Sequence, residues 1–276
     1  MIAFPNCKIN LGLHIVAKRA DGYHDIETVF YPVPLYDVLE IIQTSAIEKD
    51  PKLSLSGLKL ESAPEANLCV RAYQLLKKDF PDLPLVEIFL HKNIPAGGGL
   101  GGGSADAAFM LSLLNEKFRL AIAEDQLLNY ALQLGSDCPF FILNKPCFAA
   151  ARGEQMERVD LNLSPCTLVL VNPRIHIETK WAFAQIKPTS SRENLRTIIS
   201  RPVEEWKHLL QNDFEQPVFS AYPEIAAIKN KLYESGAIYA AMSGSGSSVF
   251  AIFNSPWLTK NPGVFPAGYF VTEVSL

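Results

Sequence analysis

The chain has 276 residues, 48% of them hydrophobic and 20% charged, with a formal net charge of −4. That length buries a substantial core in one large domain or two modest ones. The mild acidity excludes the basic excess of a general nucleic-acid binder. Five cysteines, an odd number with no C-x-x-C pair, argue against a disulfide framework or a zinc site and for reduced, mostly buried thiols.

The opening residues Met1 to Lys8 lack a basic segment followed by a long apolar run, and no stretch approaches about 18 consecutive apolar residues. A cytoplasmic protein with no membrane association is expected. Cys7, Ile9, Leu11, Leu13 and Ile15 alternate with Lys8, Asn10, Gly12 and His14. This pattern predicts a strand with one apolar and one polar face. Arg19-Ala20-Asp21-Gly22 is a turn signal. Further strands are predicted over 38–43 and 85–91.

Helical spacing predicts a helix over 67–80, a second over 104–118 and a third over 124–134, the last stopped by Gly135. The segment 148–159 reads as a crossing into a second half, followed by a strand over 167–171. Helices are expected over 180–186, 194–200, 203–213 and 222–235. Strands over 237–242 and 249–253 flank a Ser/Gly loop. Strands and helices mix in both halves without regular βαβ alternation, so the expected class is α+β with two lobes.

Between the strand ending at His91 and the helix at 104 lies Pro95-Ala96-Gly97-Gly98-Gly99-Leu100-Gly101-Gly102-Gly103-Ser104-Ala105. Six of the seven residues from Gly97 to Gly103 are glycine. Successive glycines let backbone amides approach an anion closely, and the following helix adds free N–H groups and its positive dipole end. A phosphate cradle is therefore expected, with Ser104 able to add a hydroxyl. A flexible linker is the competing reading, but the run is short and sits between a strand and an amphipathic helix. No lysine follows the last glycine, so the G-x-x-x-x-G-K-[ST] pattern fails. Gly97-x-Gly99-x-x-Gly102 matches the dinucleotide fingerprint only as any glycine-rich run would, and no convincing acidic residue follows about 20 positions later.

Gly135-Ser136-Asp137-Cys138-Pro139-Phe140-Phe141 places a carboxylate just after a helix stop. It either closes a turn or serves as a base at a site edge. The loop Ser243 to Ser248 is either a plain connection or a backbone surface that backs a nucleotide or another loop.

Taken together, these segments resemble the GHMP kinases, the superfamily of galactokinase, homoserine kinase and mevalonate kinase. The strand Lys8-Ile9-Asn10, the stretch Pro95 to Ala105 and the segment Met242 to Phe253 resemble its three motifs. Arg19-Ala20-Asp21-Gly22-Tyr23-His24 and Glu27-Thr28-Val29-Phe30 are similar to the branch whose acceptor is 4-diphosphocytidyl-2-C-methyl-D-erythritol. The resemblance spans nearly the whole chain. It implies a two-lobed GHMP kinase fold with an ATP lobe over 1–157, an acceptor lobe over 158–276 and the active site in the cleft between them.

The implied activity is transfer of the γ-phosphoryl group of ATP to the acceptor's 2-hydroxyl, a step of non-mevalonate isoprenoid biosynthesis. By the same resemblance Asp137 takes the hydroxyl proton and Lys8 orients the hydroxyl and balances charge. Tyr23 and Phe183 cover the two faces of the cytosine ring, His24 reads its polar edge, and Asn10 faces the acceptor. Asn67 and Lys92 match positions near the adenine nucleotide, with Pro95 through Ala105 on the phosphates. Mg2+ is expected to travel with ATP, held mainly by phosphates, with no protein metal ligand named. Cys7 and Ala105 depart from the family pattern, which commonly has alanine and a second serine there. The segment 190–205 is less recognisable. Other members of the superfamily, and a catalytically silent nucleotide-binding relative, are the alternatives. Asp21-Gly22-Tyr23-His24 argues against the first, and retention of both Lys8 and Asp137 against the second.

Overall fold

The computed structural model describes residues 1–45, 50–59, 66–189, 192–258 and 261–276. The first two positions of the less recognisable segment, 190 and 191, lie outside the described residues. The described chain divides into two interleaved units. One comprises 1–7, 35–96 and 101–144; the other comprises 8–34, 97–100 and 145–276.

In the first unit a four-stranded sheet has the order β1 (Ile2–Ala3), β4 (Val38–Gln43), β6 (Val86–Lys92), β5 (Lys52–Gly57). Only β5 and β6 run parallel, and helix α1 (Leu68–Asp79) lies between them in the chain. The alternation of β6 sends Val86, Ile88 and Leu90 inward, where they meet α1 and α2 (Gly102–Phe118) through Ala72, Tyr73, Leu76, Leu111 and Leu114. α1 begins where Asn67 accepts the Cys69 N–H at 2.9 Å, and Lys77 and Lys78 sit in its last turn, where the helix dipole favours cations. α3 (Glu124–Leu134) ends at Gly135 as its sequence predicts. The short helix α4 (Cys138–Leu143) starts with Pro139 in its first turn, a position that needs no N–H donor. Its six residues escape a periodicity search.

The second unit holds two four-stranded sheets. One has the order β2 (Asn6–Lys18), β3 (His24–Tyr36), β7 (Cys147–Ala150), β8 (Gln155–Arg158), so the expected crossing at 148–159 is a hairpin. β3 carries Pro32 and Pro34, which remove ladder donors. Its register with β7 runs from Thr28 to Phe30 and stops short of both prolines. The other sheet has the order β10 (Tyr239–Met242), β11 (Val249–Phe253), β9 (Thr167–Asn172), β12 (Phe270–Ser275), antiparallel throughout. Helices α8 (Glu215–Ala221) and α9 (Pro223–Glu234) cover it through Val218, Ile225, Ile228 and Leu232. Pro217 lies in the first turn of α8, where a proline is tolerated.

The helix expected over 203–213 is a correction. A 3-10 turn over Val203–Glu205 leads into α7 (Trp206–Leu209), and the chain then turns extended at Leu210. It runs beside β2, with Leu13 N–H bonded to Gln211 O and Asp213 N–H to Leu13 O, both at 2.9 Å. Asn212 drives the departure. Its Nδ2 donates to Met242 O at 2.7 Å and to Gly244 O at 2.9 Å, which a helical backbone would not reach. Two short helices precede it, α5 (Thr179–Ala184) and α6 (Leu195–Ile199), the latter capped by Asn194.

Candidate active site

The glycine run is shaped by packing as much as by any ligand. In the second unit, Gly98 and Gly99 lie against β9 and the loop 243–248. A Cβ on Gly98 would stand 2.4 Å from Asn172 Nδ2, and one on Gly99 would stand 1.9 Å from Ser243 O. Gly98 O accepts the Ser248 N–H at 3.2 Å, and Gly99 O accepts the Ser243 hydroxyl at 2.8 Å. The Ser/Gly loop thus backs the glycine loop, the second of its two sequence readings. Gly97 and Gly99 have φ of +67° and +77°, a region that disfavours a side chain. Gly99→Ala is expected to lower stability by about 3 kcal/mol, from a left-handed backbone plus a clash with backbone. Urea unfolding would check this; an unchanged midpoint would refute the packing account.

In the first unit the run continues into a helix start. Gly101, at φ +71°, is the N-cap of α2, and the first helical bond is Ala105 N–H to Gly101 O at 2.8 Å. The N–H groups of Gly102, Gly103 and Ser104 precede that bond and point toward the positive end of a 17-residue helix. No acidic residue occupies its first turn, and Gly103 is exposed. This is the geometry of an anion site. Pro95 is buried and Ala96 exposed at the approach, and Ala105 is fully buried.

Asp137 enters the same unit from α4, as its N-cap residue, half-buried. The next side chain, Cys138, is buried and shares a hydrogen bond with Ser104 in the first turn of α2. Burial pushes its thiol up to about 12. The Ser104–Cys138 contact therefore joins the residue next to Asp137 to the first turn of α2.

The polar face of β2, which alternation alone leaves open to water, is buried. Lys8 is 3% exposed and Asn10 2%. Lys8 Nζ donates to Asn10 Oδ1 at 2.6 Å and lies 4.8 Å from the centroid of the Phe30 ring. Asn10 Nδ2 donates to Thr28 Oγ1 at 2.9 Å, and Thr28 donates onward to Gly12 O at 2.5 Å. Ser243 Oγ accepts the Asn10 N–H at 3.3 Å. Thr28 and Ser243 complete a network that the sequence did not disclose. Thr28 sits in the Glu27-Thr28-Val29-Phe30 segment, the one signal that could have pointed to it. Lys8 N–H also donates to Leu100 O at 2.9 Å, which ties β2 to the glycine loop within the second unit.

Lys92 and Asn67 have structural partners of their own. Lys92 is 2% exposed and pairs with Asp37 and, at 2.6 Å, with Asp106. Asn67 spends its carbonyl on capping α1. Tyr23 is 54% exposed, and the Arg152 guanidinium stands 4.1 Å from its ring centroid. Gly22, at φ +86°, makes the turn before it, and Arg19 pairs with Asp21 and Asp25 there. His24 stacks on Phe183 at 4.8 Å and 16°, and Phe183 packs edge-on against Phe214 at 4.9 Å. Burial, then nearby Lys18, lowers the His24 pKa below its ordinary value, which keeps the ring neutral at pH 7. A neutral imidazole offers one donor and one acceptor. Among the described residues, no group of three or more His, Cys, Asp or Glu side chains gathers into a metal site.

The first unit holds a helix N-terminus opened by glycines, and the second holds a buried lysine on a strand backed by a Ser/Gly loop; each is a kind of part found in phosphoryl-transfer sites. The "GHMP kinases N terminal domain" family profile matches residues 67–145 and "GHMP kinases C terminal" matches 192–256. The chain belongs to the GHMP kinase family and is an ATP-dependent kinase.

Eight relatives 40–57% identical to this chain carry one name. A 4-diphosphocytidyl-2-C-methyl-D-erythritol kinase of Bacteroides fragilis is 57% identical over 254 residues, 92% of each chain. One of Azobacteroides pseudotrichonymphae is 52% identical over 258 residues, covering 93% of this chain and 95% of that one. A crystal structure of 4-(cytidine 5'-diphospho)-2C-methyl-D-erythritol kinase matches with a TM-score of 0.83 at 27% identity, over 100% of this chain and 99% of that one.

Proposed function

We propose that this chain transfers the γ-phosphoryl group of ATP to the 2-hydroxyl of 4-diphosphocytidyl-2-C-methyl-D-erythritol, giving the 2-phosphate and ADP in non-mevalonate isoprenoid precursor biosynthesis. The identity of 57% to a relative of that name, over 92% of both chains, supports the acceptor. The structural observation that supports the chemistry is the Ser104–Cys138 contact, which joins the residue next to Asp137 to the first turn of α2.

In this reading the amides from Gly101 to Ser104 hold phosphate oxygens, and Gly97 to Leu100 form the rest of the cradle. Asp137 takes the proton as the acceptor oxygen attacks phosphorus. The bond from the γ-phosphorus to the bridging oxygen breaks, and ADP leaves with its electron pair. Lys8 supplies positive charge near the transferring group, held in place by Asn10 and Phe30. Mg2+ would accompany ATP, held mainly by the phosphates, and would supply positive charge to them. The stacked His24 and Phe183 form one wall of the cytosine site, with Tyr23 at its exposed side and the neutral His24 reading the polar edge. An ATP lobe over 1–157 and an acceptor lobe over 158–276, with the active site between them, belong to the same reading, as does a cytoplasmic location.

An acceptor panel tests it. With ATP and Mg2+ present, ADP release is expected with 4-diphosphocytidyl-2-C-methyl-D-erythritol and not with homoserine or mevalonate. Turnover of either alternative above that of the cytidyl compound would overturn the assignment.

A further inference from the structure

Three charged side chains lie buried against the first turn of α2, all in the first unit. Lys92, from the end of β6, bonds Asp37, which precedes β4, and Asp106, the fifth residue of α2. Asp37 is fully satisfied. Its second oxygen accepts the N–H groups of Asn93 at 2.6 Å and Ile94 at 2.9 Å. Asp106 is not. It is 3% exposed, and its Oδ1 has no hydrogen-bond partner. A Cβ on Gly102 would lie 3.4 Å from Lys92 Nζ, so the ammonium sits directly behind the residue that opens the helix.

We propose that Asp106, acting through Lys92, is a positioning residue that sets how firmly the start of α2 holds the phosphates of ATP. The proposal rests on the kinase reading of the glycine loop. With Asp106 ionised, two carboxylates face one ammonium and the cluster carries a net negative charge behind the phosphate site. With Asp106 neutral, that charge is gone and Lys92 turns more of its field toward the helix start. A hydrogen bond between the protonated Asp106 carboxyl and Asp37 favours that neutral form.

Burial, and then Asp37 against the pull of Lys92, raises the Asp106 carboxyl to about 7. Burial opposes the Lys92 charge, but Asp106 and Asp37 outweigh it, and its pKa rises. The other titratable group facing the cluster is Cys69 of α1, with Cys138 of α4 beyond it. Burial raises both thiols, so they stay neutral through this range. Within this cluster Asp106 is therefore the group whose charge is expected to change near neutrality. The sign follows: a neutral Asp106 favours nucleotide, so acidification tightens ATP binding and alkalinisation loosens it.

Two measurements test this. The first is the KM for ATP at pH 6 and pH 8 in the wild type and in Asp106→Asn, which is neutral at both and similar in shape. ATP ionises identically in the two experiments, so the variant corrects for it. The wild-type ratio, pH 8 over pH 6, is expected to exceed the variant's by about 3- to 10-fold, as a single charge near a phosphate would give at intermediate dielectric. The kcat ratio is expected to be the same in both. Equal KM ratios in the two proteins would overturn the proposal.

The second uses the wild type alone, so folding of the variant is not at issue. In protein labelled at the aspartate carboxyl carbons, the signal titrating near neutrality should move its midpoint upward when ADP is added. An unmoved midpoint, with the glycine-loop amides shifted by ADP, would sink this proposal and leave the kinase reading standing. Glycine amides that ignore ADP altogether would sink both.

Discussion

Asp137→Asn is expected to lower kcat about 10³-fold while the KM for ATP stays within about 2-fold of the wild type. The amide keeps the size and shape of the carboxylate at the N-cap of α4, so the Ser104–Cys138 contact and the helix start survive. What it loses is the capacity to take a proton from the attacking hydroxyl. An effect confined to kcat distinguishes a base from a structural turn residue. A turn residue would lower stability and leave turnover of the folded fraction intact. Rapid-quench turnover beside an ATP binding isotherm would check both halves, and near-normal transfer by the variant would remove Asp137 from the mechanism.

Lys8→Ala carries the second large effect. A fall in kcat of about 10²- to 10³-fold is expected, the range for removing a fixed positive group from developing charge in a dry site. Lys8 is held by Asn10 on one side and the Phe30 ring on the other, with little access to water. Its charge is therefore unscreened, and its position is set before substrate arrives. Asn10 keeps its bonds to Thr28 and to Ser243 Oγ when Lys8 is removed. The fold is thus expected to tolerate the change, with a loss of about 1 kcal/mol, which chemical denaturation would measure. A variant that unfolds readily but turns over normally at low temperature would recast Lys8 as a core residue.

Much of this was legible in the residues because the signals are local. Asn67 and Phe80 bracket α1, Gly135 stops α3, and Ile9 to Ile15 declare the inner face of β2. Short or proline-bearing elements were not. α4 has six residues, β3 includes two prolines, and both depend on tertiary contacts that no window of sequence contains.

The site divides in the same way. The glycine run announces a helix start, but not that Gly98 and Gly99 are also demanded by Asn172 and Ser243, more than 70 residues away. Alternation showed that Lys8 and Asn10 share a face. It could not show that Thr28 and Ser243 cover that face and turn a polar stripe into a buried network. Lys92 is the sharpest case. Its resemblance suggested a nucleotide neighbour; no spacing could show that its side chain also bonds Asp37, 55 positions away, and Asp106. His24 stacks on Phe183 for the same reason that sequence spacing could not reveal it: the pair is joined by the fold alone.

The most direct test of the account is the product itself. Incubation with ATP, Mg2+ and 4-diphosphocytidyl-2-C-methyl-D-erythritol, followed by mass and phosphorus NMR analysis, should give ADP and an acceptor heavier by one phosphoryl group, esterified at the 2-hydroxyl. Binding of ATP without transfer, or a phosphate on another hydroxyl, would contradict it.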